Sequence, residues 1–256
     1  MQSAAASYRF YAQNLPAALS RVSAQPQVGR DTAYYLAKIE TVKTVDEFVN
    51  DRRLFGYAMK AFGLESMTFA KAFMRKALEG GVDDSASFAN QLADRRYRDF
   101  VETFNFARYG ETATVFDRAR QGVVDRYVRQ TLEEQAGQRS DAARLALYFE
   151  RRAPEITSPY QLLADSALTK VAQTLAGLPA STSALDIDKQ AEMLKARLPI
   201  ADFKDPEKLQ RLVSRFVNLS DAQSEPQTGV NALLARGTGV DQNLFFTLQS
   251  LRRGGV

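Results

Sequence analysis

The stretch TVDEFVNDRRLFGYAMKAFGL, Thr44–Leu64, decides the fold class. Its large apolar side chains return every three, four or seven residues and so share one face of a helix: Val45, Phe48, Phe55, Met59 and Phe62. Glu47 follows Thr44 by three residues, which predicts a capping box at the start. Gly63 stands where a left-handed residue ends a helix. We therefore predict one amphipathic helix over Thr44–Phe62, with its three phenylalanines buried.

The same periodicity continues along the chain, and no window shows the alternation of a strand, so we predict an all-α fold. The other predicted helices are Tyr8–Leu15, Pro16–Val22, Met67–Glu79, Arg95–Phe106, Val115–Gln135, Ala142–Arg152, Pro159–Ala176, Ile187–Leu198 and Pro206–Leu219. We expect Ala136–Gln138 to separate two of these helices, and Asp205 to cap the last one.

An internal repeat relates two distant parts of the chain. Placing Tyr34–Leu64 on Tyr148–Leu178 without a gap pairs identical residues: Tyr34/Tyr148, Asp51/Asp165, Leu54/Leu168, Ala58/Ala172, Gly63/Gly177 and Leu64/Leu178. The capping pair recurs as Ser158 and Gln161, so both helix ends agree. We predict a helical array built from two related multi-helix repeats, the second copy degenerate, with Leu162 and Leu168 buried.

These residues also carry a family resemblance. The segments Tyr34–Leu36, Asp46–Phe48, Asp51–Leu54 and Lys60–Leu64, followed by Ser87–Asn90, Leu92–Tyr97 and Phe104–Phe106, resemble a bacterial family of uncharacterised function. That family occurs as repeats in proteins encoded within flagellar gene clusters of alphaproteobacteria. The resemblance covers Asp31–Arg108, and Leu145–Leu219 as a degenerate copy. It implies a flagellum-associated role with protein partners among flagellar components, and it supplies no catalytic residues to transfer.

The repeat-matched residues Asp51, Asp165, Gly63 and Gly177 have two interpretations. Within a helix that begins at Thr44, Asp51 falls in the first turns, where a carboxylate favours the positive helix end. The alternative is a carboxylate anchor or partner contact. We favour the structural interpretation, because no base, metal ligand or glycine-rich loop accompanies these acids.

Composition argues against most kinds of active site. The chain of 256 residues has no Cys, His or Trp. It therefore lacks a thiolate, the usual proton shuttle near pH 7 and the commonest metal ligands. The pairs Asp83/Asp84 and Asp186/Asp188 lack the regular spacing of a calcium loop and are expected to cap helices. We expect a non-enzymatic protein with no cofactor and no bound metal.

Charge does not single out a nucleic-acid surface. The formal net charge is +4, and in Asp94–Arg152 arginines alternate with acids at helical spacings. Such alternation is typical of a solvated helix face, whereas a nucleic-acid stripe needs clustered charge. We expect no nucleic acid among the partners. The alternative function is a basic helical regulator that binds nucleic acid or an anionic membrane surface.

Targeting signals are not evident in the sequence. No apolar run has the length of a cleavable signal peptide or of a membrane span. We expect a protein that is cytoplasmic at synthesis, without a transmembrane segment, and associated with the flagellum or its basal body.

The predicted organisation has four parts. Residues 1–30 form an N-terminal segment that is partly flexible, 31–140 the first repeat unit, 141–221 the second, and 222–256 a linker with a C-terminal amphipathic helix. We expect 31–221 to be one domain. The C-terminal helix carries one apolar face, which we expect either to bind a partner or to close the protein's own core: Leu244, Phe245, Leu248 and Leu251.

Overall fold

Helices joined by short turns make up residues 3–224, the part of the chain that this computed structural model describes, and no strand occurs among them. The all-α prediction is confirmed. The helices up to residue 139 are α1 (Ala4–Ala12), α2 (Leu15–Ser23), α3 (Pro26–Ile39), α4 (Val45–Asn50), α5 (Arg52–Ala61), α6 (Lys71–Gly80), α7 (Phe88–Gln91), α8 (Arg95–Thr103), α9 (Phe106–Tyr109) and α10 (Gln121–Arg139). Those that follow are α11 (Asp141–Arg152), α12 (Pro159–Leu163), α13 (Ser166–Ala176), α14 (Ile187–Arg197) and α15 (Pro206–Ser224).

The predicted continuous helix over Thr44–Phe62 is wrong in one respect, because the helix is interrupted at Asp51. This residue ends α4 and begins α5 with φ −73° and ψ 97°, outside the helical region. Its carboxylate accepts from the amides of the next turn and so competes with helix continuation. The predicted helix Pro159–Ala176 breaks at Asp165 for the same reason. The capping box of Thr44 and Glu47 is confirmed.

Other predicted helix ends also needed correction. Ala136–Gln138 does not interrupt the helix, and α10 continues through these residues to Arg139. Gly137 serves close packing instead, since a Cβ there would lie only 2.8 Å from the Cδ atom of Arg144 on α11. The helix expected from Met67 begins only at Lys71, after a 3-10 turn. Asp205 caps α15 as predicted, and its carboxylate accepts from two amides of the first turn.

The core is built around aromatic rings of the first half. Phe48 contacts the rings of Phe55, Phe100, Phe104 and Phe106, with centroids 4.6 to 6.0 Å apart. The side chains predicted to be buried are buried, with exposed fractions of 7% or less: Phe48, Phe55, Phe62, Leu162 and Leu168. Aromatic pairs of this kind add to the stability given by apolar burial alone.

The N-terminal helices pack against the same body. α1 contacts α10 and α11, and α2 contacts α10, which buries Tyr8 and Val22. The predicted boundary at residue 30 falls inside α3. The contacts separate a compact unit, Met1–Ser220, from a second one, Asp221–Val256, of which only the end of α15 is described. The linker predicted from Ala222 is corrected here, because α15 continues to Ser224.

Helix bounds in the two predicted repeats correspond under the sequence alignment. Residues 26–39, 45–50 and 52–61 are helical in the first, and 141–152, 159–163 and 166–176 in the second. The second capping box is incomplete, because Ser158 makes no cap hydrogen bond, whereas Gln161 still accepts from the Thr157 amide at 2.8 Å. Pro159, which has no amide hydrogen, follows the cap. The duplication itself stays a prediction.

Candidate interaction groove

An open groove of about 690 Å³ lies between α3, α5, α10 and the turn that precedes α6. Sites for ligands and short segments commonly have roughly 300–1,000 Å³. The residues that line it are Asp31, Arg52, Arg53, Phe55, Gly56, Tyr57, Lys60, Glu65, Thr68, Phe69, Lys71 and Tyr127. We call this surface the α5 groove.

Stacked tyrosines support one wall of the α5 groove. The ring of Tyr57 lies 4.5 Å from that of Tyr35 and 3.8 Å from that of Tyr127, measured between centroids. The Tyr57 hydroxyl also lies 2.9 Å from that of Thr32. Burial raises the pKa of Tyr57 well above its ordinary value, so the ring stays neutral. The wall is therefore closely stacked and uncharged.

The cations that line the α5 groove differ in their partners. Arg53 donates to Asp31 at 2.9 Å, and Lys60 pairs with Glu134 at 2.7 Å. Burial alone would lower the pKa of Lys60, but the hydrogen bond and charge of Glu134 raise it. Among the described residues, the side chains of Arg52 and Lys71 have neither a hydrogen-bonding nor an ion-pair partner. The groove therefore keeps two cations without a direct partner, and the carboxylate of Glu65 lines the same groove.

Two residues of the groove are unusual where they stand. Phe69 exposes 79% of its surface, although it is a large apolar residue. Gly56 lies in the interior of α5, where glycine costs about 1 kcal/mol relative to alanine. Apart from its two chain neighbours and the backbone of its own helix, no atom lies within 4 Å of the position that its Cβ would take. Close packing therefore does not explain this glycine, and a side chain there would enter open space.

Sequence patterns did not identify this groove. The periodicity predicts a helix from Met67 that includes Phe69, but this residue precedes α6 and its side chain is exposed. Gly56 offered the one available signal, because it interrupts a run of good helix formers.

The repeat-matched acids lie elsewhere and cap helices. Asp51 accepts from the amides of Arg53 and Leu54 at 3.1 and 2.9 Å, and from the Tyr34 hydroxyl at 2.8 Å. We call Tyr34 and Asp51 the first cap site. Its tyrosine hydroxyl and carboxylate are partly exposed, and the guanidinium of Arg53 lies 4.2 Å from the centre of the Tyr34 ring.

Tyr148 and Asp165 form a second cap site of the same design. Asp165 accepts from the amides of Ala167 and Leu168 at 2.8 and 3.2 Å, and from the Tyr148 hydroxyl at 2.5 Å. Both residues are 7% exposed. The guanidinium of Arg96 lies 4.0 Å from the Asp165 carboxylate. The structural interpretation of the two aspartates accounts for every contact described at either site.

Arg96 connects the ends of two helices that are distant in sequence. It binds the Asp94 carboxylate with donor–acceptor distances of 2.7 to 3.0 Å and donates to the Gly63 carbonyl at 2.9 Å. Burial alone would lower its pKa, but hydrogen bonding to Asp94 raises it further above its ordinary value, so the charge persists. One side chain thus holds the C-terminus of α5 near the N-terminus of α13.

The repeat-matched glycines end their helices as predicted. Gly63 has φ 69° and Gly177 has φ 64°, in the left-handed region. In each case the next amide turns back, so that Leu64 donates to Met59 at 2.8 Å and Leu178 donates to the carbonyl of Gln173 at 2.9 Å. These glycines therefore allow the left-handed turn that ends each helix.

The remaining acidic candidates are accounted for by local contacts. Asp186 caps α14 and accepts from the Asp188 amide at 2.9 Å. Asp84 accepts from the Ala86 amide at 2.8 Å, and Asp83 pairs with Arg108. The prediction that these two residues cap a helix is therefore wrong. Within residues 3–224 no group of three acidic side chains could hold a metal ion. The predicted partner-binding residues lie outside the described residues: Leu244, Phe245, Leu248 and Leu251.

None of the helices in the described part of the chain is both long enough and apolar enough to cross a membrane.

Similarity to other proteins places the chain in a family. An X-ray crystal structure of a protein from Agrobacterium tumefaciens is similar, with a TM-score of 0.80, 46% sequence identity, and coverage of 86% of this chain and 93% of that one. No curated protein matches the chain. A model of the family described as "Protein of unknown function (DUF1217)" matches residues 61–209, which contain the second cap site and part of the α5 groove. The chain therefore belongs to the DUF1217 family.

Proposed function

We propose that this protein is a non-enzymatic interaction protein of the bacterial flagellum, acting as an assembly factor, scaffold or minor basal-body component. The observation that carries the interaction role is the α5 groove, which is lined by exposed Phe69 and by two cations without a direct partner. Exposed apolar surface with a polar rim is typical of protein-binding sites. The flagellar part rests on the resemblance of Asp31–Arg108 to a family encoded in flagellar gene clusters.

The surroundings of the acidic residues support a role without catalysis. Catalytic carboxylates have perturbed environments together with a partner that moves a proton or binds substrate. Asp51 and Asp165 instead spend their oxygens on helix amides and a tyrosine. At each site one carboxylate oxygen accepts from two helix amides and the other accepts from the tyrosine hydroxyl, so both oxygens hold the fold together.

The alternative, a basic regulator of nucleic acid or membrane surfaces, finds little support in the arginine contacts. Glu133 is 1% exposed and receives hydrogen bonds from Arg129 and Arg151 at 2.8 to 2.9 Å. Arg152 pairs with Asp99 at 2.9 Å. Arginines committed to internal carboxylates cannot neutralise phosphates, which is the source of affinity for nucleic acids.

Deletion of the gene in its motile host tests the flagellar role. We expect impaired swimming with normal growth, restored by a plasmid copy carrying an epitope tag. The tagged protein should then co-purify with isolated basal bodies or with flagellar assembly intermediates. Normal swimming of the deletion strain would contradict the proposal. Binding to DNA or to anionic vesicles that weakens steeply with salt would support the alternative instead.

Removal of Asp241–Val256 tests the predicted C-terminal interaction element. If Leu244, Phe245, Leu248 and Leu251 bind a partner, the shortened protein keeps its helical circular dichroism and melting temperature but no longer restores swimming. Unfolding of the shortened protein, or full restoration of swimming, would contradict this hypothesis.

A further inference from the structure

We propose that the α5 groove binds an acidic segment of a partner protein, with an aromatic or large aliphatic side chain of that segment seated beside Gly56 and Phe69. This inference rests on the proposed function, because it names the chemistry of the partner. Three features of the groove support it: the space at Gly56, the exposure of Phe69 and the charge of the lining residues.

The space at Gly56 is specific to the first repeat. Lys170 is its counterpart in the alignment of Tyr34–Leu64 with Tyr148–Leu178. That lysine carries a full side chain whose ammonium donates to Asp141 at 2.8 Å. The first repeat has no side chain at this position, and nothing beyond its chain neighbours and its own helix backbone lies within 4 Å of where a Cβ would stand. The corresponding helix thus tolerates a long side chain, and the glycine of α5 keeps the groove open.

Phe69 supplies apolar surface at the same place. It lines the groove with 79% of its surface exposed, while Tyr57 and Tyr127 beside it are almost fully buried. An exposed ring in a groove with a wall of stacked, buried tyrosines resembles the anchor regions at which a few residues supply most of the binding energy. An open groove suits a segment of chain better than a small molecule, because small-molecule sites enclose most of their ligand.

Charge decides the nature of the segment. Among the described residues the side chains of Arg52 and Lys71 lack carboxylate partners, whereas Arg53 and Lys60 are paired. Glu65 is the carboxylate of the groove that opposes them. A partner with acidic residues would pair with the two unpaired cations, and a basic partner would meet like charge.

Selection of random dodecapeptides displayed on phage, using the full-length protein as bait, tests the proposal. We expect the selected peptides to be enriched in Asp and Glu around an aromatic or aliphatic residue. Their affinity is then measured by fluorescence anisotropy on purified variants. An unselective pool, a basic consensus or a failure to enrich any binder would overturn the proposal.

A matched pair of glycine variants shows whether the peptides occupy the groove. Gly56→Leu should weaken binding about tenfold or more, because the leucine enters the space that the anchor needs. Gly29→Leu is the control, since Gly29 also lies in a helix with nothing within 4 Å of a Cβ. Both substitutions favour the helix, so both proteins should fold, as circular dichroism will verify. Equal binding by the two variants would place the peptides elsewhere and overturn the proposal.

Phe69→Ala gives a second measurement that does not depend on α5, because an exposed ring contributes little to folding. It should weaken binding about fivefold or more. Charge variants then act in opposite directions. Arg52→Glu and Lys71→Glu should weaken binding, and Glu65→Gln should strengthen it, whereas Lys189→Glu, the same charge change on α14, should leave it within about twofold. If Lys189→Glu weakened peptide binding as much as the groove variants do, the net charge of the protein would explain the loss, and the proposal would be overturned.

Complementation of the deletion strain separates this inference from the proposed function. If the deletion impairs swimming, Gly29→Leu should restore it and Gly56→Leu should not. Restoration by both variants would overturn the role of the groove and leave the flagellar function standing. Normal swimming of the deletion strain would overturn the flagellar function. The peptide affinities of the groove variants would then be the test of binding in the groove.

Discussion

The two cap sites share one local design in two different surroundings. At each, an aspartate accepts from two amides of the helix that it caps and from a tyrosine two helices before that helix. The first cap site is partly exposed, whereas Tyr148 and Asp165 are 7% exposed and lie near Arg96. The same residues therefore fix the same backbone in both places, but the cost of losing them depends on what else is buried with them.

The largest expected difference between the two repeats concerns their cores. Phe55→Ala should lower the free energy of unfolding by about 3–5 kcal/mol, because it leaves a cavity among packed rings. Its counterpart Thr169 packs no ring and donates to the Leu162 carbonyl at 2.9 Å. Thr169→Ala should cost only about 1 kcal/mol. Urea unfolding followed by circular dichroism measures both, and a loss below about 1 kcal/mol for Phe55→Ala would contradict the burial described above.

The next difference concerns the aspartates. Asp165→Ala removes two amide partners and leaves the buried Tyr148 hydroxyl without an acceptor, so we expect a loss of about 2–4 kcal/mol. Asp51→Ala removes a comparable cap, but water can reach the Tyr34 hydroxyl, and about 1 kcal/mol should be lost. The same unfolding experiment compares them. An equal or larger loss for Asp51→Ala would show that burial does not distinguish the sites.

A smaller difference should appear in the dependence of stability on pH. Burial, then the negative charge of Asp165, raises the pKa of Tyr148 above its ordinary value of 10.0. The stability that this tyrosine contributes is therefore complete below pH 10 and declines at higher pH, where the unfolded chain loses the proton and the folded chain keeps it. The difference in unfolding free energy between wild type and Tyr148→Phe should shrink from about pH 8 to about pH 11.

The matched control for this measurement is Tyr34→Phe. Hydrogen bonding to Asp51 also raises the pKa of Tyr34, but this site is exposed and solvent screens the interaction. Its difference from wild type should change less over the same range. A larger change with Tyr34→Phe would reverse the order of the two sites.

The smallest contrast is expected at the helix ends. Gly63→Ala and Gly177→Ala each place a Cβ on a left-handed residue and should cost about 1 kcal/mol. Neither Cβ meets an atom closer than 3.6 Å, so the backbone strain decides both values. Melting temperatures of the two variants should be close to each other, and a large difference would indicate that packing as well as conformation acts at one of them.

The sequence was sufficient for the fold class and for much of the local structure. Periodicity predicted the helical character and the buried phenylalanines, and cap rules identified Thr44, Gly63 and Asp205. The failure at Asp51 has a physical cause: apolar spacing continues across a break when the two short helices keep the same face towards the core. The break appears in the backbone angles of Asp51 and in the hydrogen bonds of its carboxylate, neither of which leaves a mark on the apolar spacing.

The candidate site was much harder to predict than the fold. The α5 groove depends on where α3, α5 and α10 meet, and these tertiary contacts leave no pattern at short spacing. Phe69 follows the helical period, but the helix begins two residues later, and its ring is exposed instead of buried. Gly137 illustrates the converse, because a residue expected to break a helix serves the close approach of its neighbour.

The position of Arg96 has a consequence for how the protein opens. Its guanidinium donates to the carbonyl of Gly63, at the end of one helix. The same guanidinium lies 4.0 Å from the carboxylate of Asp165, which begins another helix. Local unfolding of either helix would remove one partner of that guanidinium and leave it bound to Asp94. The two halves should therefore exchange their slowest amide hydrogens with deuterium at a common rate, as one cooperative unit. In Arg96→Ala that shared rate should divide into two.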